Sequence, residues 1–425
     1  GIVEKVFVGK APLASVPSHT IHHGLIIRPE DKEPIDEVLV SIFRQPNSYT
    51  GQDRVEISCH RSPYLIDERI KIILSLGATL AREGEFTKRA FLNGKLDLIQ
   101  AEAVLDIITA QGEWARKNAY HQLEGTLSHR IKEITDKIVE TLIQVEASLD
   151  FPEDEEWQDF RNIKNEIAKI KHEIEELLNR TEDGIIMREG PKIVIVGKPN
   201  VGKSNLFNRL LGRERVIVTE IPGTTRDFIE ENLILGDFRF RIIDTAGLGW
   251  AQDKIEEIGM KRTKSVIEDA QLLLVLFDLS GEAEKHDFEI LEDTKEKSKN
   301  RMLVFNKSDL PPKLNKKTIL DKVDGELEHV EVSAKTGTGI DRLKQNILQI
   351  FRKPKTSEGF LLTRRRHLEA LRQAKDALTN AGGQNFYETI AIELRHALDA
   401  LGELVGKVTS EDILNKIFAE FCVGK

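Results

Sequence analysis

The octapeptide Gly197-Lys198-Pro199-Asn200-Val201-Gly202-Lys203-Ser204 follows directly on the apolar run Lys192-Ile193-Val194-Ile195-Val196. Its glycines let backbone N–H groups curl around phosphate oxygens, and the pattern needs a strand before it and a helix after it. That requirement commits this part of the chain to an α/β architecture. Further apolar runs at 238–243, 272–277, 302–305 and 330–332 predict buried strands. Helical segments alternate with most of them, the mark of a largely parallel sheet.

Within that frame, Lys203 is expected to reach the β- and γ-phosphates and the Ser204 hydroxyl to ligate Mg²⁺. Asn200, Val201, Gly202 and Asn205 complete the phosphate-binding run. Asp244-Thr245-Ala246-Gly247 follows a predicted strand, where the Asp would hold Mg²⁺ through water and the Gly247 N–H would sense a γ-phosphate. Asn306-Lys307-Ser308-Asp309 ends another. The Asp309 carboxylate can accept from guanine N1–H and N2–H₂, donors that adenine does not offer, so adenine would leave a polar group unpaired. Ser333-Ala334-Lys335 fits a loop that closes over the base. Between the first two motifs lies Thr219-Glu220-Ile221-Pro222-Gly223-Thr224-Thr225, with Thr225 the candidate second Mg²⁺ ligand. The complete set, in this order, predicts a guanine-nucleotide site.

The hydrolytic machinery is less plain. Leu248 stands where Ras-like enzymes carry the glutamine that orients water. Asp253, Glu256 and Glu257 lie just downstream, and each is an alternative base or the solvated start of a helix. Asn200 is either a structural Asn or an amide oxygen for a monovalent cation, with carbonyls from 219–223 completing the shell. Such a cation would replace the charge of an arginine finger.

Outside this region the pattern changes twice. Residues 1–92 mix β-rich runs, such as Glu37-Val38-Leu39-Val40-Ser41-Ile42-Phe43 and Arg54-Val55-Glu56-Ile57-Ser58, with a helix-like stretch at 67–80. From 99 to 149 there is no proline and apolar residues recur at helical spacing. Ile163, Ile167, Ile170, Ile174 and Leu177 form one stripe, as do Leu394, Ala397, Leu398, Leu401, Leu404 and Val405. Two helical stretches flanking an α/β unit predict one helical domain with the α/β domain inserted in it.

With 425 residues, 40% hydrophobic and 31% charged, the chain has room for several cores. A formal charge of −9 excludes a generally basic, nucleic-acid-coating surface, so an RNA partner would dock on a local patch. Arg364-Arg365-Arg366-His367 is the clearest such cluster, with a solvated helix start as the competing reading. Two cysteines, Cys59 and Cys422, exclude a disulfide framework and fit a reducing cytoplasm. No apolar run approaches the roughly 20 residues that span a bilayer, so no membrane partner is expected. A signal peptide is not evident, and a start at Gly1 without Met points to a missing original N-terminus.

At this point the sequence resembles the MnmE (TrmE) family of tRNA-modification GTPases over essentially its whole length. The resemblance rests on Ser48-Tyr49-Thr50-Gly51 with Asp53 and Glu56, and on Gly84-Glu85-Phe86-Thr87-Lys88-Arg89-Ala90-Phe91-Leu92-Asn93-Gly94-Lys95-Leu96-Asp97-Leu98. The nucleotide motifs with Ile221-Pro222-Gly223-Thr224-Thr225-Arg226-Asp227, and the terminal Phe421-Cys422-Val423-Gly424-Lys425, complete it. It implies a multidomain chain: an α+β folate-binding and dimerising domain at 1–92, an all-α helical domain at 93–189 and 353–425, and a Ras-like α/β P-loop G domain inserted at 190–352.

The resemblance further implies a cytoplasmic homodimer that works with the FAD-containing partner MnmG on the wobble uridine of certain tRNAs. Its cofactors would be K⁺, Mg²⁺ and a tetrahydrofolate derivative (5,10-methylene- or 5-formyl-), with GTP as substrate. It assigns Glu256 as the catalytic carboxylate and Ser204 and Thr225 to Mg²⁺. K⁺ would take the side chains of Asn200 and Thr224 and the backbone of Thr219 and Ile221. Folate contacts would be Glu56, Lys95 and Lys425, and Cys422 would be linked to the modification step. The sequence departs from the family in lacking an opening segment that supplies a folate-contacting arginine. It also carries Arg61-Ser62 where two glycines are usual and Gly249 where arginine is common. A rival reading, a GTP-operated binding switch in ribosome or RNA assembly, would need a KH- or OB-type domain, and no Gly-x-x-Gly loop or aromatic-studded basic sheet fits one. A second rival, a folate-dependent aminomethyl transferase with a degenerate G domain, is disfavoured because no nucleotide motif is damaged.

Overall fold

The computed structural model describes residues 1–150, 160–212, 229–244, 266–295, 300–323, 327–351, 362–407, 411–422 and 424. The chain divides into two units, one formed by Gly1–Thr109, Ala119–Leu178 and Arg366–Lys425, the other by Ala110–Asn118 and Asn179–Arg365. Most of the second unit, residues 179–365, is therefore inserted between helical stretches of the first.

The first unit opens with an antiparallel sheet of β1 (Phe7–Gly9), β2 (Thr20–Ile27), β3 (Pro34–Phe43) and β4 (Arg54–Ser58), paired in chain order. Alternation sends Val38, Val40 and Ile42 of β3 into a core with Val6, Phe7, Leu13, Val16 and Ile26. The opposite face keeps Val8, Ile21, Leu25 and Leu39 exposed. The helix expected at 67–80 instead runs Pro63–Ser75. Ser62 accepts a capping bond from the Leu65 N–H, Pro63 occupies the first turn, and Gly77 at φ +97° follows the helix end. Ser62 thus gives local purpose to one of the two departures from the family's paired glycines.

Helices Leu98–Thr109, Thr126–Asp150, Phe160–Glu189, Arg365–Gly383, Tyr387–Val405 and Glu411–Phe418 make up most of the rest. All five residues of the stripe Ile163 to Leu177 are buried, as are Leu394, Ala397, Leu401 and Leu404, while Leu398 and Val405 lie half-buried at the stripe's edges. Small residues Ala370, Ala374, Ala377 and Ala381 line the buried side of helix Arg365–Gly383. The four-residue basic cluster is not a solvated patch throughout. Arg366 donates from Nε and Nη2 to Glu102 at 2.7 and 2.8 Å, and His367 Nε2 lies 2.8 Å from the same carboxylate. Glu102 and His367 are buried, and Arg366 also reaches the carbonyls of Glu403 and Leu404. Burial alone would raise the Glu102 pKa, but His367 and Arg366 outweigh it and hold the carboxyl far below its ordinary range.

The second unit is a six-stranded sheet of β5 (Lys192–Val196), β6 (Ile229–Leu235), β7 (Phe238–Asp244), β8 (Leu272–Asp278), β9 (Arg301–Asn306) and β10 (His329–Glu331). Its order is β10-β9-β8-β5-β7-β6, with every pairing parallel except the antiparallel β6–β7 edge. The central strands read as continuous apolar runs because both faces are covered. One face packs Phe207, Leu210, Phe240, Leu343 and Ile347, the other Ile267, Ile290, Leu291 and Ile319.

Candidate functional site

The P-loop joins the carboxyl end of β5 to helix Lys203–Leu211, beside the end of β8, where ligands bind in open α/β sheets. Three residues of the loop have left-handed or otherwise positive φ: Gly197 (+157°), Asn200 (+64°) and Gly202 (+99°). At Gly197 a Cβ would lie 2.8 Å from the Leu276 carbonyl, and at Gly202 one would lie 2.3 Å from Asn306 Nδ2. Both glycines are needed for close approach as well as for conformation. Lys203 is buried and donates from Nζ to the carbonyls of Gly197 (2.9 Å) and Lys198 (3.0 Å). Burial pushes its ammonium pKa down, with the Asp244 charge opposing. The helix N-terminus and this ammonium form an anion cradle.

Two further motifs converge on the loop. Asn306, at the end of β9, donates from Nδ2 to the Val201 carbonyl (2.8 Å) and accepts from the Ala334 N–H at Oδ1 (2.9 Å). One buried amide therefore ties the phosphate loop to the loop 333–335. Asp309 accepts from Ser333 Oγ at 2.6 Å, and that bond first of all lowers its pKa, keeping an exposed carboxylate charged. Lys307, at φ +65°, pairs with Asp278 Oδ2 at 2.7 Å. Arg209 donates to the carbonyls of Ala334 and Lys335, bracing the same loop from helix Lys203–Leu211. Neither Asp278 nor Arg209 belongs to a motif, and the bare sequence carries no signal for either.

Asp244 is buried at the end of β7, while Ser204 and Asn205 are exposed in the first turn of helix Lys203–Leu211. These donors suit a hard cation beside phosphates: an exposed hydroxyl next to the cradle and a carboxylate at a strand end. Asn200 presents an exposed amide on the same loop. Thr219, Glu220, Ile221, Pro222, Gly223, Thr224, Thr225, Thr245, Ala246, Gly247, Leu248, Gly249, Asp253, Glu256, Glu257 and Lys425 lie outside the described residues.

In the first unit, the two sequence signatures of the β-rich domain pack on each other. Lys95 Nζ donates to the Pro46 carbonyl (3.2 Å), Asn93 Nδ2 to the Thr50 carbonyl (2.7 Å), and Tyr49 and Thr87 share a 2.9 Å hydroxyl pair. Arg54 lies over the rings of Tyr49 and Phe86 and pairs with Glu56 at 2.6 Å. Helix Glu85–Leu92 in turn meets Glu411–Phe418, with Lys88 donating to Asn415 at 2.7 Å. Cys422 follows Phe421, whose ring is buried beside Phe418. Glu56, Lys95 and Cys422 are all exposed. Among the described residues no helix is long and apolar enough to cross a membrane.

Two family models match the chain, one described as the MnmE helical domain over residues 98–422 and one as the GTP-binding protein TrmE N-terminus over residues 1–95. The tRNA modification GTPase MnmE of Natranaerobius thermophilus is 41% identical over all of this chain and 93% of that protein. The protein of the same name from Thermoanaerobacter pseudethanolicus is 42% identical over all of this chain and 94% of that protein. A solved structure of a point variant of Aquifex aeolicus Era bound to GDP·AlF₄⁻ is 30% identical over 44% of this chain and 66% of that one, with a TM-score of 0.31. With full-length identity above 40% and both family models covering its domains, this chain belongs to the MnmE (TrmE) family of tRNA-modification GTPases, which makes it a GTP hydrolase.

Proposed function

We propose that this chain is a K⁺-activated GTPase that acts with MnmG on carbon 5 of the wobble uridine (U34) of certain tRNAs, using a tetrahydrofolate one-carbon unit. The observation that carries the cation reading is Asn200: an amide held in the left-handed region, exposed on the phosphate loop, where a structural Asn would turn inward to a partner. In this reading Asn200, Thr224 and the backbone of Thr219 and Ile221 hold K⁺, and Ser204 and Thr225 hold Mg²⁺. K⁺ held there would supply positive charge against the phosphates in place of an arginine finger. Lys203 orients the β- and γ-phosphates, the run Asn200–Asn205 with Asp244–Gly247 encloses them, and Asn306, Lys307, Asp309 and Ser333–Lys335 hold the base. Glu256 takes the role that Leu248 cannot fill, orienting water and accepting its proton.

The domains are 1–92, 93–189 with 353–425, and the G domain 190–352. Glu56, Lys95 and Lys425 serve folate, Glu56 through pterin N–H groups and the lysines through carboxylates. Cys422 serves the modification step. The apolar outer face of the sheet supports a homodimer, which this reading places in the cytoplasm. Glu56 pairs with Ser41 in register and stands on that same face, among Val8, Ile21, Leu25 and Leu39. A second copy seated there would cover both.

GTP turnover in K⁺ and in Na⁺, with and without Glu256→Ala, tests the mechanism. A strong K⁺ preference, and loss of turnover with nucleotide binding retained in the variant, is the expected result. Equal rates in both salts, or an undiminished variant, overturn it.

A further inference from the structure

The P-loop contains a lysine besides Lys203. Lys198 does not extend into solvent; its side chain is 13% exposed and runs to helix Lys285–Asp293, which follows β8. There Lys198 Nζ lies 3.0 Å from Asp287 Oδ2 and 3.3 Å from Glu284 Oε1. The Asp287 side chain is 4% exposed and accepts also from the Glu284 N–H at 3.0 Å, capping the helix. Burial alone would lower the Lys198 pKa, but the bond it donates to the Asp287 carboxylate, with the acidic charges beside it, wins and raises it.

What this pair holds matters more than the pair itself. The main-chain carbonyl of Lys198 is one of the two acceptors that aim Lys203 Nζ, and Asn200 lies two residues further along the same turn. A loop with three positive-φ residues has no regular hydrogen-bond ladder to fix it. It is pinned at Val201 by the Asn306 amide and at Lys198 by Asp287. We infer that Asp287, acting through Lys198, is a positioning residue for the phosphates, and that it sets the Lys198 carbonyl that orients Lys203. The inference rests on the GTPase reading of this loop. Asp287 touches no nucleotide and belongs to no motif, so it acts through geometry alone.

The test uses the full chain with Asp287→Asn, Lys198→Met, their double variant and Lys198→Arg. Asp287→Asn keeps an acceptor for the Glu284 N–H while removing the charge. Each single variant is expected to raise the Kd for GDP and the KM for GTP about tenfold, with a smaller change in kcat. The double variant is expected to be no worse than the worse single, because the two side chains act as one unit. Lys198→Arg, which keeps the charge, is expected to recover most of what Lys198→Met loses. Thermal melting is followed alongside. Lower melting temperatures with Kd and KM unchanged would reduce the pair to a stability element and overturn the inference, as would additive effects in the double variant. Should Asp287→Asn not fold, Lys198→Met decides by the same criteria. Wild-type protein that fails to bind GDP would instead refute the GTPase reading, so the two failures are separate.

Discussion

Replacing Gly202 by alanine tests the phosphate loop at its tightest point. The added Cβ would stand 2.3 Å from Asn306 Nδ2, and the residue sits at φ +99°. An L-residue forced into positive φ costs about 1–2 kcal/mol. Relieving the clash means moving Asn306, which is buried and bonded on both sides, to the Val201 carbonyl at 2.8 Å and the Ala334 N–H at 2.9 Å. Breaking either bond leaves a buried polar group unpaired, at about 1–3 kcal/mol. Together these disfavour the nucleotide-ready loop by about 2–5 kcal/mol, which lowers GDP affinity roughly 30- to several thousand-fold. Fluorescence titration with a labelled GDP reads this directly, and far-UV circular dichroism checks that the sheet remains folded. If Gly202→Ala binds GDP within about threefold of wild type, the loop does not require this glycine and the clash argument is wrong.

Other perturbations follow from the same geometry. Asp309→Asn exchanges an acceptor pair for a mixed amide, so GDP affinity should fall about a hundredfold or more while xanthosine diphosphate gains; unchanged base preference in competition titrations would count against the role of Asp309. Glu102→Ala strands Arg366 without its buried counter-charge, removes the carboxylate from His367 Nε2, and should destabilise the helical unit by about 3–5 kcal/mol, read as a fall in urea midpoint. A loss below about 1 kcal/mol would mean that water or another carboxylate replaces it. Asp36 is held at about 2 against an ordinary 3.8, because bonds from His60 and Arg69 outweigh the burial that would raise it. A depressed carboxyl stabilises above its unfolded pKa and loses that contribution as the pH falls through the folded value. The stability gap between wild type and Asp36→Asn should therefore be full at neutral pH and close between about pH 4 and pH 2. A gap that stays constant over that window would exclude the ion pair as its source.

The nucleotide site was legible because its chemistry dictates residue types at fixed spacing, and the strands around it read as unbroken apolar runs buried on both faces. What stayed hidden depends on partners distant in sequence. Arg366 and His367 look like part of a basic tetrad, and a charge run has the same appearance whether solvated or paired inside. Their partner Glu102 sits in the largely apolar helix Leu98–Thr109, where a carboxylate reads as a surface position. Asp278, Asp287 and Arg209 are ordinary residues until the fold brings them against Lys307, Lys198 and the 333–335 loop. The first helix shows the boundary problem: apolar periodicity places it near 67–80, but a Ser-Pro start and a glycine beyond its end move both limits toward the N-terminus.

The charge triad around Glu102 occupies a particular place in the connectivity. Arg366 is the residue at which the chain comes back to the helical unit after the inserted α/β unit. Its turn is held to a carboxylate in the core by the Arg366 guanidinium and the His367 imidazole, and Arg366 also ties it to the carbonyl end of helix Tyr387–Val405. With its first turn held by those bonds, helix Arg365–Gly383 should resist the fraying that helix termini commonly show.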